Sequence, residues 1–136
     1  MEDDTTRSHE AGEAHVFTVA EARALMPEVR SNAADLVSLR ADMAELAAEV
    51  RGVGGSALGG VAELKAMEAR FSELQTWFTD KGIEVKGIAP LLIDFPASLD
   101  GVSVRLCWLE DETELGWYHR SDLGFLGRRP LPPEAS

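Results

Sequence analysis

The chain has 136 residues, 45% hydrophobic and 27% charged, with a net charge of -11 and one cysteine, Cys107. That length suits one domain with a core of its own, and a single cysteine rules out an internal disulfide and suits a reducing compartment. The acidic balance repels phosphate backbones, which argues against general nucleic-acid binding, and no apolar run approaches the roughly 20 residues that a membrane helix needs.

Residues 1–15 are rich in Asp, Glu and Thr and poor in large apolar groups, the composition of a disordered acidic tail. They lack the basic start and apolar centre of a secretory signal, so a cytoplasmic location is expected. Structure is expected from about residue 16, as one domain over 16–131 followed by a flexible tail over 132–136.

Thr18 and Glu21 form a Thr-x-x-Glu capping box, in which each side chain satisfies a free backbone N–H of a helix start. Pro27 is expected to interrupt or restart that helix, since proline lacks the N–H of a helix interior. From 28 to 50 the apolar positions Val29, Leu36, Met43 and Val50 recur every seventh residue, with Asn32, Leu39 and Leu46 between them. This is an a/d heptad pattern with one polar member. The glycine-rich stretch 52–60 reads as a loop between helices. A phosphate-cradling loop would need a closing Lys-Ser/Thr and a preceding strand, and has neither. Leu64, Met67, Phe71, Leu74 and Phe78 mark a second helix over 61–81, ended by Gly82 as C-cap with Ile83 behind it. Two such helices joined by a short loop make an antiparallel hairpin, here 18–82.

After Gly82 the period changes from 3.6 to 2. Short strands are expected at 84–86 and 91–95, then a turn at Asp100-Gly101, a strand at 102–109, a polar turn near 110–113, and a strand at 115–120. The fold class is therefore α+β, a long antiparallel helical hairpin followed by a small antiparallel β-meander (84–120) packed on it, and then a Gly/Arg loop over 121–131. A tight turn centred on Asp111 and Glu112 sets Trp108 opposite Leu115 and Leu106 opposite Trp117. Opposite residues share a face. His119 then falls on the apolar, helix-facing side with Val104, Leu106 and Trp108, and Cys107 falls on the other side with Arg105 and Tyr118.

His119 is the chief candidate for chemistry. Asp94 interrupts the apolar run Leu91-Leu92-Ile93-Phe95 and needs a partner there, and Glu112 lies in the hairpin turn. One imidazole and two carboxylates make a plausible divalent-metal set: His119, Glu112 and Asp94. The competing reading is a hydrogen-bonded core histidine, the commoner fate of a lone His on an apolar face. Cys107 reads as a small half-buried hydrophobe, because no base or helix start nearby would activate its thiol. Arg128 and Arg129, in the Gly/Arg loop, are candidates to bind a small anion. Trp77, Phe78, Trp117 and Tyr118 read as packing residues. The Arg129-Pro130-Leu131-Pro132-Pro133 tail is read as a plain extended segment rather than a polyproline ligand.

Several of these residues fall into a familiar pattern. The start Phe17-Thr18-x-x-Glu21-Ala22-x-x-x-x-Pro27, Asp94-Phe95-Pro96, Leu106-Cys107-Trp108, His119, and Gly124-Phe125-x-Gly127-Arg128-x-Pro130-Leu131 together resemble the bacterial domain-of-unknown-function family numbered two-two-zero-three. The resemblance covers about 17–131. That family shows Gly-Glu after the tryptophan and Trp-His at the end of the last strand, where this chain has Asp111-Glu112 and Tyr118-His119. The resemblance implies no activity. It does imply that Asp94, Glu112, His119 and Arg128 belong to a recurring pattern.

Two functions are consistent with the sequence. The first is a non-enzymatic protein-interaction module that self-associates as a homodimer through its hairpin, because narrow a/d stripes leave Val37, Val61 and Trp77 needing cover. The alternative is a small divalent-metal-binding or hydrolytic protein centred on His119, Glu112 and Asp94.

Overall fold

The computed structural model describes residues 15–52, 57–133 and 135. The expected acidic tail, except His15, lies outside the described residues, as does the centre of the glycine-rich loop. Two helices, α1 (Val19–Arg51) and α2 (Ala57–Asp80), precede five strands, β1 (Glu84–Ile88), β2 (Leu91–Leu99), β3 (Val102–Leu109), β4 (Trp117–Arg120) and β5 (Arg129–Pro130). The strands form one antiparallel sheet in the order β1-β2-β3-β4-β5, and the class is α+β.

Both halves of the capping box at the start of α1 are made. Glu21 N donates to Thr18 Oγ1, and Thr18 N donates to Glu21 Oε1, each at 2.9 Å. Pro27, however, does not break the helix, which runs through it to Arg51. Its ring lies on the exposed side, while Met26 before it and Val29 after it are both buried. Packing on either side outweighs the roughly 3 kcal/mol that an interior proline costs.

The fully buried stripe of α1 is Val19, Ala22, Met26, Val29, Ala33 and Leu36. Ala33 replaces Asn32 in the expected series, and the Asn32 amide instead donates to the Glu28 carbonyl at 3.1 Å. This half of α1 packs on the sheet through Leu91, Ile93, Phe95, Ala97, Val104, Leu106 and Trp108, together with Leu74, Phe78 and Ile83. Beyond it, Leu39, Met43, Leu46 and Val50 meet α2 only half-buried. The second helix starts at Ala57, inside the stretch expected as loop. Gly60 is buried, and a Cβ there would stand 2.3 Å from Val50 Cγ2. Its use is close helix approach rather than flexibility. Gly82, at φ 87°, ends α2 as expected, and Ile83 N donates back to Phe78 O at 3.0 Å.

Asp100 and Gly101 both have positive φ, at 52° and 81°, the geometry of a two-residue hairpin. Pro96 sits inside β2, but β1 has stopped pairing at Asp94, so that edge of the strand is open there. Phe17 uses it, donating its N–H to Pro96 O at 2.7 Å and setting its ring edge-on to Phe95 at 5.2 Å.

The β3–β4 register differs from the expected one by a single residue. Cys107 pairs with Trp117 and Arg105 with His119. The turn forms one residue earlier than expected, centred on Glu110 and Asp111, with Glu112 N donating to Leu109 O at 3.0 Å, and pairing does not resume until Trp117. Leu115 drops into the core instead, 2% exposed, and its carbonyl accepts from Arg23 Nη2 of α1 at 3.2 Å. A one-residue shift moves every side chain of a strand to the opposite face. His119 and Trp117 therefore lie away from the helices, beside Arg105 and Cys107, and Tyr118 faces the helical side.

Arg40 ties the hairpin to the sheet. Its two Nη atoms donate to the two oxygens of Glu110 at 2.9 and 3.0 Å, and Nη1 also donates to Ile88 O at 2.6 Å. Glu110 Oε1 accepts Leu91 N at 2.7 Å. The Arg40 hydrogen bond first, and the Leu91 N–H second, hold the Glu110 carboxyl below its ordinary value of 4.5. A depressed carboxyl stabilises the fold above its unfolded value and loses that contribution as pH falls through the folded one. Glu110→Gln is therefore expected to cost about 1–2 kcal/mol at pH 7, and the gap from the parent should close below pH 4.5. Urea denaturation at pH 7 and in acid measures this, and a gap independent of pH would remove the ion pair as its cause.

Candidate metal centre

The sheet face turned away from the helices carries an unusual set of polar groups. On β2 and β3, Asp94 and Cys107 are direct cross-strand partners. On β4, His119 lies one step diagonally from Cys107, because Arg105 is its own partner. The chain after β4 folds back toward this face through a single 3-10 turn at Phe125–Gly127, whose Phe125 lines the same cleft as Asp94 and His119, before the strand β5 forms.

All three groups are buried: Asp94 is 3% exposed, His119 5% and Cys107 0%. Among the described residues, one ligand atom from each lies within 4.8 Å of the others. His119 Nδ1 is 2.9 Å from the Arg120 carbonyl oxygen. A carbonyl has no proton to give, so Nδ1 carries the hydrogen and donates it. His119 Nε2 then faces Asp94 Oδ2 at 3.2 Å, where the two share one proton or turn lone pairs to a cation. Asp94 Oδ1 is buried with no hydrogen-bond partner among the described residues.

Burial raises the pKa of Asp94, against the opposing pull of His119, Cys107 and the Lys86 charge. Burial, then the neighbouring Asp94 carboxylate, pushes the Cys107 thiol up to about 11. Such a thiol is protonated at neutral pH and is no nucleophile. A bound cation reverses that preference, since a coordinating thiol is deprotonated outright.

Glu112 has other partners. Its Oε1 accepts Leu109 N at 2.9 Å and Arg128 Nη2 at 2.6 Å. Arg128 also donates to the Cys107 carbonyl at 3.3 Å, and its guanidinium stacks 4.7 Å from the Trp117 ring centre and 5.1 Å from that of Phe125. The Glu112–Arg128 pair thus forms the wall behind Cys107, while Arg129 is exposed on β5. On the open side, Asp94 and His119 line a cleft of about 280 Å³, bounded also by Lys86, Leu92, Arg105 and Phe125.

The family model described as "Uncharacterized conserved protein (DUF2203)" matches residues 15–131. The chain belongs to the DUF2203 family. The matched segment contains every residue of the cluster and of its Glu112–Arg128 wall. No curated protein and no solved structure matches this DUF2203 chain.

Sequence reasoning brought Asp94 and His119 together and missed Cys107. The β3–β4 parity had placed Cys107 and His119 on opposite faces. One available signal pointed the other way. A two-residue Asp100-Gly101 turn pairs Leu99 with Val102, and counting back along both strands sets Asp94 opposite Cys107. A buried thiol of high pKa predicts slow chemistry. In chelator-treated DUF2203 protein at pH 7, Cys107 is expected to react with a disulfide reagent at under about 1% of the rate of free cysteine, and fully once unfolded. A native-state rate near that of free cysteine would contradict both its burial and its raised pKa.

Proposed function

We propose that this DUF2203 protein binds a zinc-class divalent cation between Asp94, Cys107 and His119. The observation that carries this reading is the orphaned Asp94 Oδ1, a buried carboxylate oxygen without a partner beside a thiol and an imidazole. Leaving such an acceptor unpaired costs about 1–3 kcal/mol, and a cation would remove that cost. Sulfur, nitrogen and oxygen donors together suit zinc and its neighbours rather than magnesium or calcium, which take oxygen alone.

The geometry agrees with the donor chemistry. Tetrahedral zinc, with bonds of about 2.0–2.3 Å, sets its donors about 3.3–3.8 Å apart. Asp94 Oδ2 and His119 Nε2 stand 3.2 Å apart, the unpartnered Oδ1 is the second oxygen of that same carboxylate, and one ligand atom from each of Asp94, Cys107 and His119 lies within 4.8 Å of the others. The Nδ1–H bond to the Arg120 carbonyl is the outer support that orients a metal-bound histidine. Three protein donors leave a fourth position, and the cleft lies on that side. Protein purified without a histidine tag and dialysed against micromolar zinc is expected to retain about one equivalent. Asp94→Asn, Cys107→Ser and His119→Gln should each lower the metal content at least about tenfold while keeping a cooperative melt. Glu112→Gln and Glu63→Gln should retain it, since Glu112 serves Arg128 and Glu63 lies on α2. Absence of zinc from the parent, or its retention in all three ligand variants, would refute the reading.

A second reading, self-association, draws on a separate observation. The fully buried stripe of α1 ends at Leu36, and past it the seam of Met43, Leu46 and Val50 with Leu64 and Met67 is only half-buried. A second copy laid along this seam would bury it further. Light scattering across dilution is expected to report twice the chain mass at micromolar concentration, and Met43→Asp to halve it. A single-chain mass at every concentration would sink the reading.

A further inference from the structure

We propose that the cleft over the Asp94–Cys107–His119 site binds a small monocarboxylate with an apolar body, whose carboxylate takes the open metal position and pairs with Lys86. This rests on the metal reading above.

Charge is the first support. The chain carries a net charge of -11, yet Lys86 and Arg105 both line this cleft. Glu84 stands between them, 2.9 Å from Arg105 Nε and 3.4 Å from Lys86 Nζ; with the charges of Asp94 and a Cys107 thiolate offset by the bound dication, these three groups leave one positive charge in excess. The donors of Arg105 are committed to Glu84 Oε1, Ser121 Oγ and the Val104 carbonyl. Lys86 has only the long contact to Glu84 among the described residues and is half exposed, so it is the cation left to meet a ligand.

Backbone geometry is the second support. β1 pairs Glu84 with Asp94 and Val85 with Ile93, and then Gly87 with Leu92. Lys86 is the extra, unpaired residue of a β-bulge, a device that re-aims a side chain and recurs beside binding sites. The third support is the wall. Leu123 and Phe125, both 44% exposed, line the mouth with Leu92. An inorganic anion would leave that surface wet, whereas an apolar body would cover it. The volume of about 280 Å³ suits a single-ring or short-chain acid rather than a nucleotide.

The test uses the full chain loaded with Co²⁺, whose visible absorption reports its ligands. Benzoate is expected to shift that spectrum saturably, and acetate and inorganic phosphate to need at least about tenfold more. Lys86→Met should weaken benzoate about tenfold with Co²⁺ affinity unchanged, and Leu123→Ser should bring benzoate toward acetate. A Co²⁺ spectrum that benzoate does not move, or equal benzoate binding by Lys86→Met, overturns this inference alone. Phosphate binding as tightly as benzoate also overturns it, in favour of a plain anion site. Failure of Co²⁺ to bind overturns the metal reading and this inference with it.

Discussion

Leu115 is the residue on which the arrangement of the sheet turns. It leaves the β3–β4 connection and enters the core, where α1 holds its carbonyl through Arg23. A leucine buried in this way contributes about 1.5–3 kcal/mol, enough to decide between two registers that differ by one residue. The longer connection it creates delays pairing until Trp117 meets Cys107. Every side chain of β4 is placed by that step. With the tighter hairpin, His119 would press into the helix-facing core, and no site would form.

The two faces of the sheet consequently have different chemistry. One is closed by the α1 stripe from Val19 to Leu36 over an apolar centre of Ile93, Phe95, Leu106 and Trp108. The other is closed only in part, by a short turn bearing Phe125 and Arg128. Most polar groups buried there are given partners: Arg128 has Glu112 and two aromatic rings, although its Nε makes no hydrogen bond among the described residues, and Arg105 has Glu84 and Ser121. Asp94 Oδ1 is the exception among the carboxylates. Buried polar groups in native proteins are nearly always satisfied, so such an exception points to a partner of another kind.

Much of this was legible in the residues. The capping box at Thr18, the Gly82 C-cap and the Asp100-Gly101 turn follow from local chemistry, and each is made as expected. Asp94 stood out as a carboxylate in an apolar strand, and it clusters with Cys107 and His119. The passage of α1 through Pro27 was not legible, because its compensation comes from core contacts on either side of the proline. The role of Gly60 was hidden for a similar reason. A glycine in a glycine-rich stretch reads as freedom, and only the crossing of the two helices shows it to be a point of contact with Val50.

Sequence alone determined the order of the two helices and first four strands, the class of fold and two of the three clustered groups, because caps, turns and hydrophobic periods act over a few residues; the strand β5 lies inside the stretch expected as a Gly/Arg loop. Tertiary structure decided which face His119 occupies, that Cys107 rather than Glu112 stands beside it, and that Glu112 instead holds Arg128. Those outcomes depend on a one-residue choice of register, and that choice was made by the burial of Leu115 against a helix some ninety positions earlier in the chain.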